Sequence, residues 1–459
     1  MKSNLPKVLH PVLGKPILGR ILAAVDALSL EHVHIVIGHG AAQVEDYLKK
    51  NPPETPWSVH LQEPQLGTGH ALMQVVPALE KFEGSLLVSV ADCPLLKDHT
   101  LEGLINNHQK EAASFSLLTT IVDDPKSYGR IVRNAEGRVS AIVEDKDCSE
   151  EQRNIREINP AIYCLDWPAM QEGLSALRND NNQNEYYLTD LLAWSAEKDL
   201  KIADAPSDWR EVAGINSRLD LADCNLHMRD DTLRKLALES GVTIIDPQST
   251  WIAPEVKIGQ ETIILPGCYI TGNVEIAESC TIGPNTQITG PSRVGAGSTV
   301  QQSVVTNSYI ADNCRVGPFA HLRDLANVGN NCRIGNFVEV KKSHIGTKTN
   351  VSHLSYIGDA TLGKEVNIGA GTITANYNRI TGQKSKTIIG DHSSTGSNSV
   401  LVAPVVVGED AMVAAGTVVV ENVPDGSLAI GRAKSRNMLG YVAKKRAESM
   451  ESTSRLPSV

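Results

Sequence analysis

Polar residues that could bind phosphates and a divalent cation are spread through the first hundred residues. Asp92 follows the apolar run 85–90. A carboxylate there can hold Mg²⁺, which prefers one or two carboxylates plus substrate phosphates, although an aspartate at a strand end is also a common turn residue. Gly67 and Thr68 can let a nucleotide approach the backbone or simply form a turn, and Lys7 can neutralise a phosphate or lie at the surface.

A second set of residues, in the last third of the chain, combines cations with an imidazole, a phenol and an amide. A lone histidine is more often structural than catalytic. His353, however, has charged and polar neighbours in sequence that the stacking of successive coils would bring together. The stretch 376–387 carries Lys384 and Lys386 and is typical of a loop leaving a regular scaffold, where sites are common. The second set contains Arg323, Lys341, Lys342, His353, Tyr356 and Asn367.

The element that must position the second set is a repeat. From about residue 256 a branched aliphatic residue recurs at almost every sixth position, a period that fits neither a helix nor an alternating strand. It indicates a hexapeptide β-helix in which each unit is a short strand and a corner. The residues in step are Ile258, Ile264, Ile270, Ile276, Ile282, Ile288, Val294, Val300, Ile310, Val316, Leu322, Val328, Ile334, Val340, Ile345, Val351, Ile357, Leu362, Ile368, Ile389, Leu401, Val407, Val413 and Val419.

The front half alternates helical and strand patterns. A helix is predicted over 17–30 and strands over 33–37, 58–62 and 85–90, which indicates an α/β layer with a mostly parallel sheet. Ligands of such sheets bind beyond the carboxyl ends of the strands. A charged helical pattern over 219–239 suits a linker, and beyond Arg432 we expect a short basic helical arm with disordered last residues.

Composition narrows the function classes. The chain has 459 residues, a formal charge of −10 and a sequence pI near 5.7, which argue against nucleic acid as the main partner. The eight cysteines lack metal-ligand spacing and are expected to be reduced, buried thiols of a cytoplasmic protein. No apolar run has the length of a membrane span, and no signal peptide is predicted.

The motifs resemble those of the bacterial bifunctional N-acetylglucosamine-1-phosphate uridyltransferase/glucosamine-1-phosphate N-acetyltransferase family. In the front half the similar segments are 5–10 (LPKVLH), 65–71 (QLGTGHA), 128–130 (YGR) and 185–190 (EYYLTD). In the repeat they are 335–342 (GNFVEVKK), 353–356 (HLSY) and 367–377 (NIGAGTITANY), and these are the more specific.

The resemblance implies an α/β Rossmann-like nucleotidyltransferase domain (1–218), a linker helix (219–239) and a left-handed parallel β-helix acetyltransferase domain with a C-terminal arm (240–459). It further implies a homotrimer with acetyltransferase sites between subunits and a cytoplasmic role in peptidoglycan and lipopolysaccharide synthesis. Acetyl-CoA would acetylate glucosamine 1-phosphate, and UTP with Mg²⁺ would then uridylylate N-acetylglucosamine 1-phosphate and release pyrophosphate.

The same resemblance implies roles for individual residues. His353 would be the general base for acetyl transfer. Arg323, Lys341 and Lys384 would hold the sugar phosphate, Tyr356 and Asn367 the sugar, and Ala370, Asn376, Tyr377, Ser397, Ala415 and Arg432 the acetyl-CoA. Lys7, Gln62, Gly67, Thr68, Gly129, Glu144, Asn159 and Asn216 would contact UDP-N-acetylglucosamine, with Asp92 and Asn216 as Mg²⁺ ligands.

The chain departs from the family pattern in places. The family opens with a strand and a Gly-rich loop before the LPK segment, and that loop should cradle the UTP phosphates. Because this chain starts after it, we expect either a misplaced start, which we favour, or a loss of uridylyl transfer. Elsewhere Val90-Ala91 replaces Tyr-Gly, Pro160-Ala161 replaces Thr-Gly, Asp324 replaces Pro, and a longer loop precedes Lys384.

Three other functions stay open at this point. The chain could be an acetyltransferase only, with its front domain kept as a scaffold. It could also be a sugar-1-phosphate nucleotidyltransferase with a purely structural β-helix. A β-helix metalloenzyme of the carbonic anhydrase type would need converging histidines, and no ligand pattern is recognisable in the repeat. The histidines of the repeat are His321, His344, His353 and His392.

Overall fold

The chain, described over residues 1–454 by a computed structural model, forms two compact units. The first comprises Met1–Leu236 with Trp251–Glu255, and the second comprises Ala237–Thr250 with the residues from Val256 onward. The predicted disorder of the last residues concerns 455–459, which lie outside the described part. None of the helices in residues 1–454 is both long and apolar enough to cross a membrane.

The first unit begins with alternating helices and strands, as predicted, and it contains the long charged helix up to Leu236. Its strands are β1 (Pro11–Val12), β2 (Lys15–Pro16), β3 (Val33–Ile37), β4 (Trp57–Leu61), β5 (Ser85–Val88), β6 (Phe115–Ile121), β7 (Gly129–Arg133), β8 (Val139–Val143), β9 (Glu157–Asn159), β10 (Tyr163–Asp166) and β11 (Ile202–Pro206). Its helices are α1 (Ile17–Asp26), α2 (Ala41–Lys50), α3 (Thr68–Met73), α4 (Asp98–Glu111), α5 (Glu150–Arg153), α6 (Trp167–Ala176), α7 (Asp190–Glu197), α8 (Trp209–Val212) and α9 (Arg218–Glu239).

The main sheet of this unit is mixed, so the prediction of a mostly parallel sheet is wrong. Its strand order is β5-β10-β6-β9-β7-β8, and every neighbouring pair in that order is antiparallel. The one parallel pairing within this sheet, among the described residues, joins β11 to β6, while β3 and β4 form a separate parallel pair. The physical reason is that the chain between β6 and β10 contains no helix longer than α5, a single turn, and a parallel return needs a long crossover.

The core of the first unit lies on both sides of these strands. One cluster packs β6 and β10 against α6 and α7, and includes the fully buried Phe115, Leu165 and Trp167. Another packs the apolar face of β3 against α1 and α2 through Ile35 and Leu48. The ends of β4 and β5 carry Gln62 and Asp92 out of this core, at the positions predicted for ligand contacts.

The second unit is a three-sided parallel β-solenoid, in keeping with the predicted left-handed β-helix. Successive strands visit three sheets in turn. Sheet A contains Thr243–Ile244, Ile263–Ile264, Thr281–Ile282, Thr299–Val300, Arg315–Val316, Arg333–Asn336, Asn350–His353, Asn367–Ile368, Ser394–Thr395, Met412–Val413 and Leu428–Ala429. Sheet B contains Tyr269–Thr271, Gln287–Thr289, Val304–Thr306, His321–Arg323, Glu339–Lys341, Tyr356–Gly358, Ile373–Ala375, Val400–Val402 and Val418–Val419. Sheet C contains Lys257–Ile258, Val274–Ile276, Ser292–Val294, Tyr309–Ile310, Asn327–Val328, His344–Ile345, Ala360–Leu362, Thr387–Ile389 and Val405–Val407. A further short strand spans Trp251–Ile252, and α10 spans Tyr441–Ser454.

The recurring aliphatic residues point into the solenoid, which confirms the reading of the six-residue period. In sheet A, Val316, Ile334 and Val351 are in register on neighbouring strands and are at most 2% exposed. Because these side chains fix the register, outward-pointing residues at equivalent positions stack in columns along the rod. All eight cysteines of the chain are unpaired and buried, as predicted.

Candidate active sites

Lys7, Asp92 and Asn216 meet in the first unit although they are far apart in sequence. The Lys7 ammonium donates to Asp92 Oδ2 at 2.6 Å and to Asn216 Oδ1 at 3.1 Å. Lys7 opens a short 3₁₀ turn after Pro6, Asp92 follows β5, and Asn216 lies just before α9. Two oxygen ligands of the hard type that Mg²⁺ prefers therefore converge on one positive charge, which fits a divalent cation site.

The segment around Gly67 is built against the segment 185–188. Gly67 has φ +100, and a Cβ there would lie 2.7 Å from the carbonyl oxygen of Tyr186, so no other residue fits without displacement. Gln62 Nε2 donates to the Gly67 carbonyl at 2.9 Å, and the Leu188 amide donates to Thr68 Oγ1 at 3.1 Å. Two motifs separated by more than a hundred residues thus form one surface.

Gly129, Glu144 and Asn159 lie on neighbouring strands or just beyond them. Gly129 pairs directly with Asn159 across β7 and β9, and Asn159 Nδ2 donates to the buried Tyr163 hydroxyl at 2.7 Å. Glu144 follows β8 and accepts from Thr189 Oγ1 at 3.3 Å. Burial raises the pKa of the Glu144 carboxyl, although the Thr189 hydrogen bond opposes the shift.

In the solenoid His353 points outward and not into the coil. It ends its strand in sheet A, is exposed, and its Nδ1 lies 3.0 Å from Asn336 Oδ1. A carbonyl oxygen facing Nδ1 matches the neutral tautomer with its hydrogen on Nδ1, in which the lone pair is on Nε2. Sequence reasoning missed Asn336; the signal was its position in the preceding coil, 17 residues earlier.

His353 belongs to a column that runs along one corner of the solenoid. Asn336 and His353 are register partners in sheet A. The Asn398 amide donates to the Ala370 carbonyl at 2.7 Å, the Gly416 amide to the Ser397 carbonyl at 2.8 Å, and Arg432 Nη1 to the Ala415 carbonyl at 3.0 Å. Continuing the register of sheet A past its strand ends extends this line through three further coils, and we call the whole line the His353 column: Asn336, His353, Ala370, Ser397 and Ala415.

The cations lie on sheet B, around the corner from the His353 column. Arg323 and Lys341 are register partners. Arg323 donates to Glu339 at 2.8 Å and to Asp324 at 3.0 Å, and the Lys341 ammonium lies 3.5 Å from the same Asp324 carboxylate. Asp324 and Glu339, which sequence reasoning did not include as site residues, thus neutralise the predicted phosphate-binding cations.

The remaining predicted residues are only partly gathered. Tyr356 is the register partner of Glu339, and its hydroxyl accepts from Asn376 Nδ2 at 3.5 Å, an amide that also donates to Asp359 at 2.5 Å. Tyr377 and Lys384 form a single antiparallel bridge across the loop, and both are exposed. Asn367 is exposed on sheet A but makes no hydrogen bond to His353 among the described residues.

Within the described part of the chain, no three His, Cys, Asp or Glu residues are arranged to hold a metal ion. His321 lies on sheet B, His344 on sheet C and His353 on sheet A.

Comparisons with known proteins match this two-part organisation. The MobA-like NTP transferase domain family matches residues 1–156, and the bacterial transferase hexapeptide family matches residues 255–290. The proteins named "Bifunctional protein GlmU" include one from Synechococcus elongatus, 45% identical over 95% of this chain and 94% of its own length. Another, from Geobacillus thermodenitrificans, is 44% identical over 98% of this chain and 96% of its own, and one from Trichormus variabilis is 45% identical over 98% and 97%. A solved UDP-glucose pyrophosphorylase aligns with 50% of this chain at 19% identity and a TM-score of 0.40, too low to bear on the fold.

Proposed function

The chain belongs to the family of bifunctional GlmU proteins, and on that premise we propose how its residues divide the work. It is a bifunctional enzyme of UDP-N-acetylglucosamine synthesis, an acetyltransferase and a uridyltransferase. Glucosamine 1-phosphate is acetylated by acetyl-CoA, and the product is uridylylated by UTP. We assign the uridyltransferase to residues 1–218, the acetyltransferase to 240–459, and a linking role to the helix over 219–239.

His353 is the general base of acetyl transfer in this proposal. Its free Nε2 takes a proton from the sugar amine, whose nitrogen attacks the acetyl carbonyl carbon. The carbon–sulfur bond breaks, CoA leaves as a thiolate that is reprotonated, and an amide remains. The supporting observation is the hydrogen bond at 3.0 Å between Nδ1 and Asn336, which fixes the ring.

The His353 column supplies the groove for acetyl-CoA. Ala370, Ser397 and Ala415 continue the line of His353 coil by coil, and Arg432 is hydrogen bonded at its end. An extended cofactor lying along this line would bring its thioester to the imidazole. Asn376 and Tyr377, in and beside the loop, complete the proposed contacts.

The cations proposed to bind the sugar phosphate lie on a different face of the solenoid from His353. Arg323 and Lys341 lie on sheet B together with Tyr356, whereas His353 and Asn367 lie on sheet A. Faces of a three-sided rod point in different directions, so one chain does not surround a small substrate with both sets. We therefore propose a homotrimer in which neighbouring subunits complete each site, with Lys384 of the exposed loop contributing to the phosphate.

Uridylyl transfer is assigned to the first unit. Asp92 and Asn216 are the proposed ligands of Mg²⁺, which when bound supplies positive charge to the UTP phosphates. Gln62, Gly67 and Thr68 line the surface for the nucleotide, while Gly129, Glu144 and Asn159 contact the sugar. A phosphate oxygen of N-acetylglucosamine 1-phosphate attacks the α-phosphorus, pyrophosphate leaves, and Lys7 neutralises phosphate charge.

The unpaired cysteines support the cytoplasmic location that we propose.

Two assays on the full chain test the assignment. One measures the thiol released from acetyl-CoA with glucosamine 1-phosphate, and the other measures pyrophosphate released from UTP with N-acetylglucosamine 1-phosphate and Mg²⁺. His353→Ala should lower kcat of the first by about 10²- to 10⁴-fold and leave the second unchanged. Asp92→Asn should lower kcat of pyrophosphate release and leave acetyl transfer unchanged.

Each alternative predicts another outcome. Acetyl transfer that survives in His353→Ala would remove the general-base assignment and favour a structural β-helix. An unaltered chain that releases no pyrophosphate would favour the acetyltransferase-only function.

A further inference from the structure

The Lys7 ammonium occupies the place between the two proposed metal ligands. It lies 2.6 Å from Asp92 Oδ2, in an ion pair, and 3.1 Å from Asn216 Oδ1, in a hydrogen bond to a neutral amide. The Asp92 side chain is only 21% exposed, and among the described residues it forms no other ion pair. Without Lys7 this partly buried carboxylate would therefore lack a counter-ion when no metal is bound.

One ammonium and one divalent cation cannot share these two oxygens at such distances. Like charges this close repel strongly, and both cations would bind the same two oxygens, Asp92 Oδ2 and Asn216 Oδ1. Binding of the metal must therefore be accompanied by departure of the ammonium from Asp92. The lysine is able to leave because its side chain is 37% exposed and its backbone is held independently in the turn Lys7–Leu9.

We propose that Lys7 is a positioning residue that competes with the metal for Asp92 and Asn216. In the free enzyme its charge holds the two ligands together and weakens the binding of bare metal ions. When nucleotide arrives with the metal, the phosphates offer Lys7 another anionic partner, so release of Lys7 couples metal binding to phosphate binding. This inference rests on the proposed Mg²⁺ site, and adds to it an order of events.

A purely structural ion pair is the competing explanation. It would stabilise the fold, and its removal would lower stability without any gain in metal affinity. The two explanations thus predict opposite changes in metal binding when the charge of Lys7 is removed.

The test measures Mn²⁺ binding to the nucleotide-free full chain, by the loss of the free-ion EPR signal. Lys7→Met should bind Mn²⁺ about tenfold more tightly than the unaltered chain. Lys7→Gln, which keeps a hydrogen-bond donor, guards against misfolding of the Met variant and should behave alike. Lys81→Met is the matched control, because Lys81 is exposed and makes no ion pair within the described residues, and it should leave the affinity unchanged.

Asp92→Asn separates failure of this inference from failure of the metal site. Equal or weaker binding in both Lys7 variants, with binding reduced in Asp92→Asn, would overturn the competition and keep the site. Binding that is the same in Asp92→Asn as in the unaltered chain, or absent from every variant, would overturn the metal site itself and the competition with it.

Discussion

At the scale of single residues, Asn336 is the hydrogen-bond partner that orients the His353 ring. Its carbonyl oxygen faces Nδ1 at 3.0 Å, so in the proposed mechanism Nε2 acts as the base. Asn336→Ala should lower kcat of acetyl transfer about 10- to 100-fold with little change in KM, because the ring loses its orientation and no substrate contact is removed. Steady-state kinetics of both substrates check this. Unchanged kcat would show that other contacts orient the imidazole.

Asp324, which replaces the proline of the family pattern, bears on the proposed binding of the sugar phosphate. Its carboxylate pairs with both Arg323 at 3.0 Å and Lys341 at 3.5 Å, and in the proposed site it would share these cations with the sugar phosphate. Asp324→Asn should lower KM for glucosamine 1-phosphate about threefold, a typical effect of one partly exposed charge. Asparagine is chosen because Asp324 has φ +52, a conformation that asparagine tolerates.

Asp410→Asn is the matched control for that substitution. Asp410 is also exposed at a corner with φ +54 and makes no ion pair in the described part of the chain. It should leave KM unchanged. A KM that rises in Asp324→Asn would mean that Asp324 positions the cations and does not compete with the substrate.

At the scale of elements, the β3–β4 pair carries a titratable cluster on the face opposite its apolar core. His34 Nδ1 lies 3.0 Å from both Ser58 Oγ and His60 Nε2. Burial, with His32 and His60 nearby, lowers the pKa of His34 to about 4. The folded state therefore resists protonation of His34 at pH values where the unfolded chain accepts the proton.

This shift predicts how stability changes with pH. Between pH of about 6.5 and about 4 the unfolded state binds more protons, so stability falls as the solution is acidified, and above that range the effect is absent. We expect the free energy of unfolding to fall on the order of 1 kcal/mol. This is well below what the full pKa shift would give, because the His34 side chain keeps contact with water. His34→Gln should remove this part of the pH dependence.

Tryptophan fluorescence during urea unfolding provides the measurement, because all tryptophans belong to the first unit. His99→Gln, an exposed histidine of α4, is the control. A pH dependence that persists in His34→Gln would assign it to other groups. The tryptophans are Trp57, Trp167, Trp194, Trp209 and Trp251.

At the scale of the whole molecule, the corners between sheets A and B present an apolar ridge. Phe319, Phe337 and Leu354 occupy consecutive corners with φ of +60, +57 and +49 and are 52%, 57% and 61% exposed. The two rings stack with centroids 5.4 Å apart. Bulky residues are disfavoured in this conformation, so their use at exposed corners supports burial between the subunits of the proposed trimer.

Phe337→Asn tests this ridge without straining the corner, since asparagine tolerates positive φ. We expect the trimer to dissociate and acetyl transfer to fall about tenfold or more, while pyrophosphate release continues. Light scattering after gel filtration gives the oligomeric state. Lys348→Asn is the control: it changes another corner residue with positive φ, +59, and should leave the trimer intact. A trimer that persists in Phe337→Asn would place the subunit contact elsewhere.

The sequence by itself determined the solenoid, because one inward aliphatic residue in six is a local pattern that only stacked short strands satisfy. It also pointed to Gly67 and His353 through motifs of neighbouring residues. Tertiary structure alone decided the antiparallel pairing of the main sheet and the contact of Asn336 with His353. It also decided the ion pairs of Asp324 with Arg323 and Lys341, and the position of the Lys7 ammonium between Asp92 and Asn216. These depend on register and on contacts between residues as much as 209 positions apart, and a local pattern carries no information about which distant partner a side chain will meet.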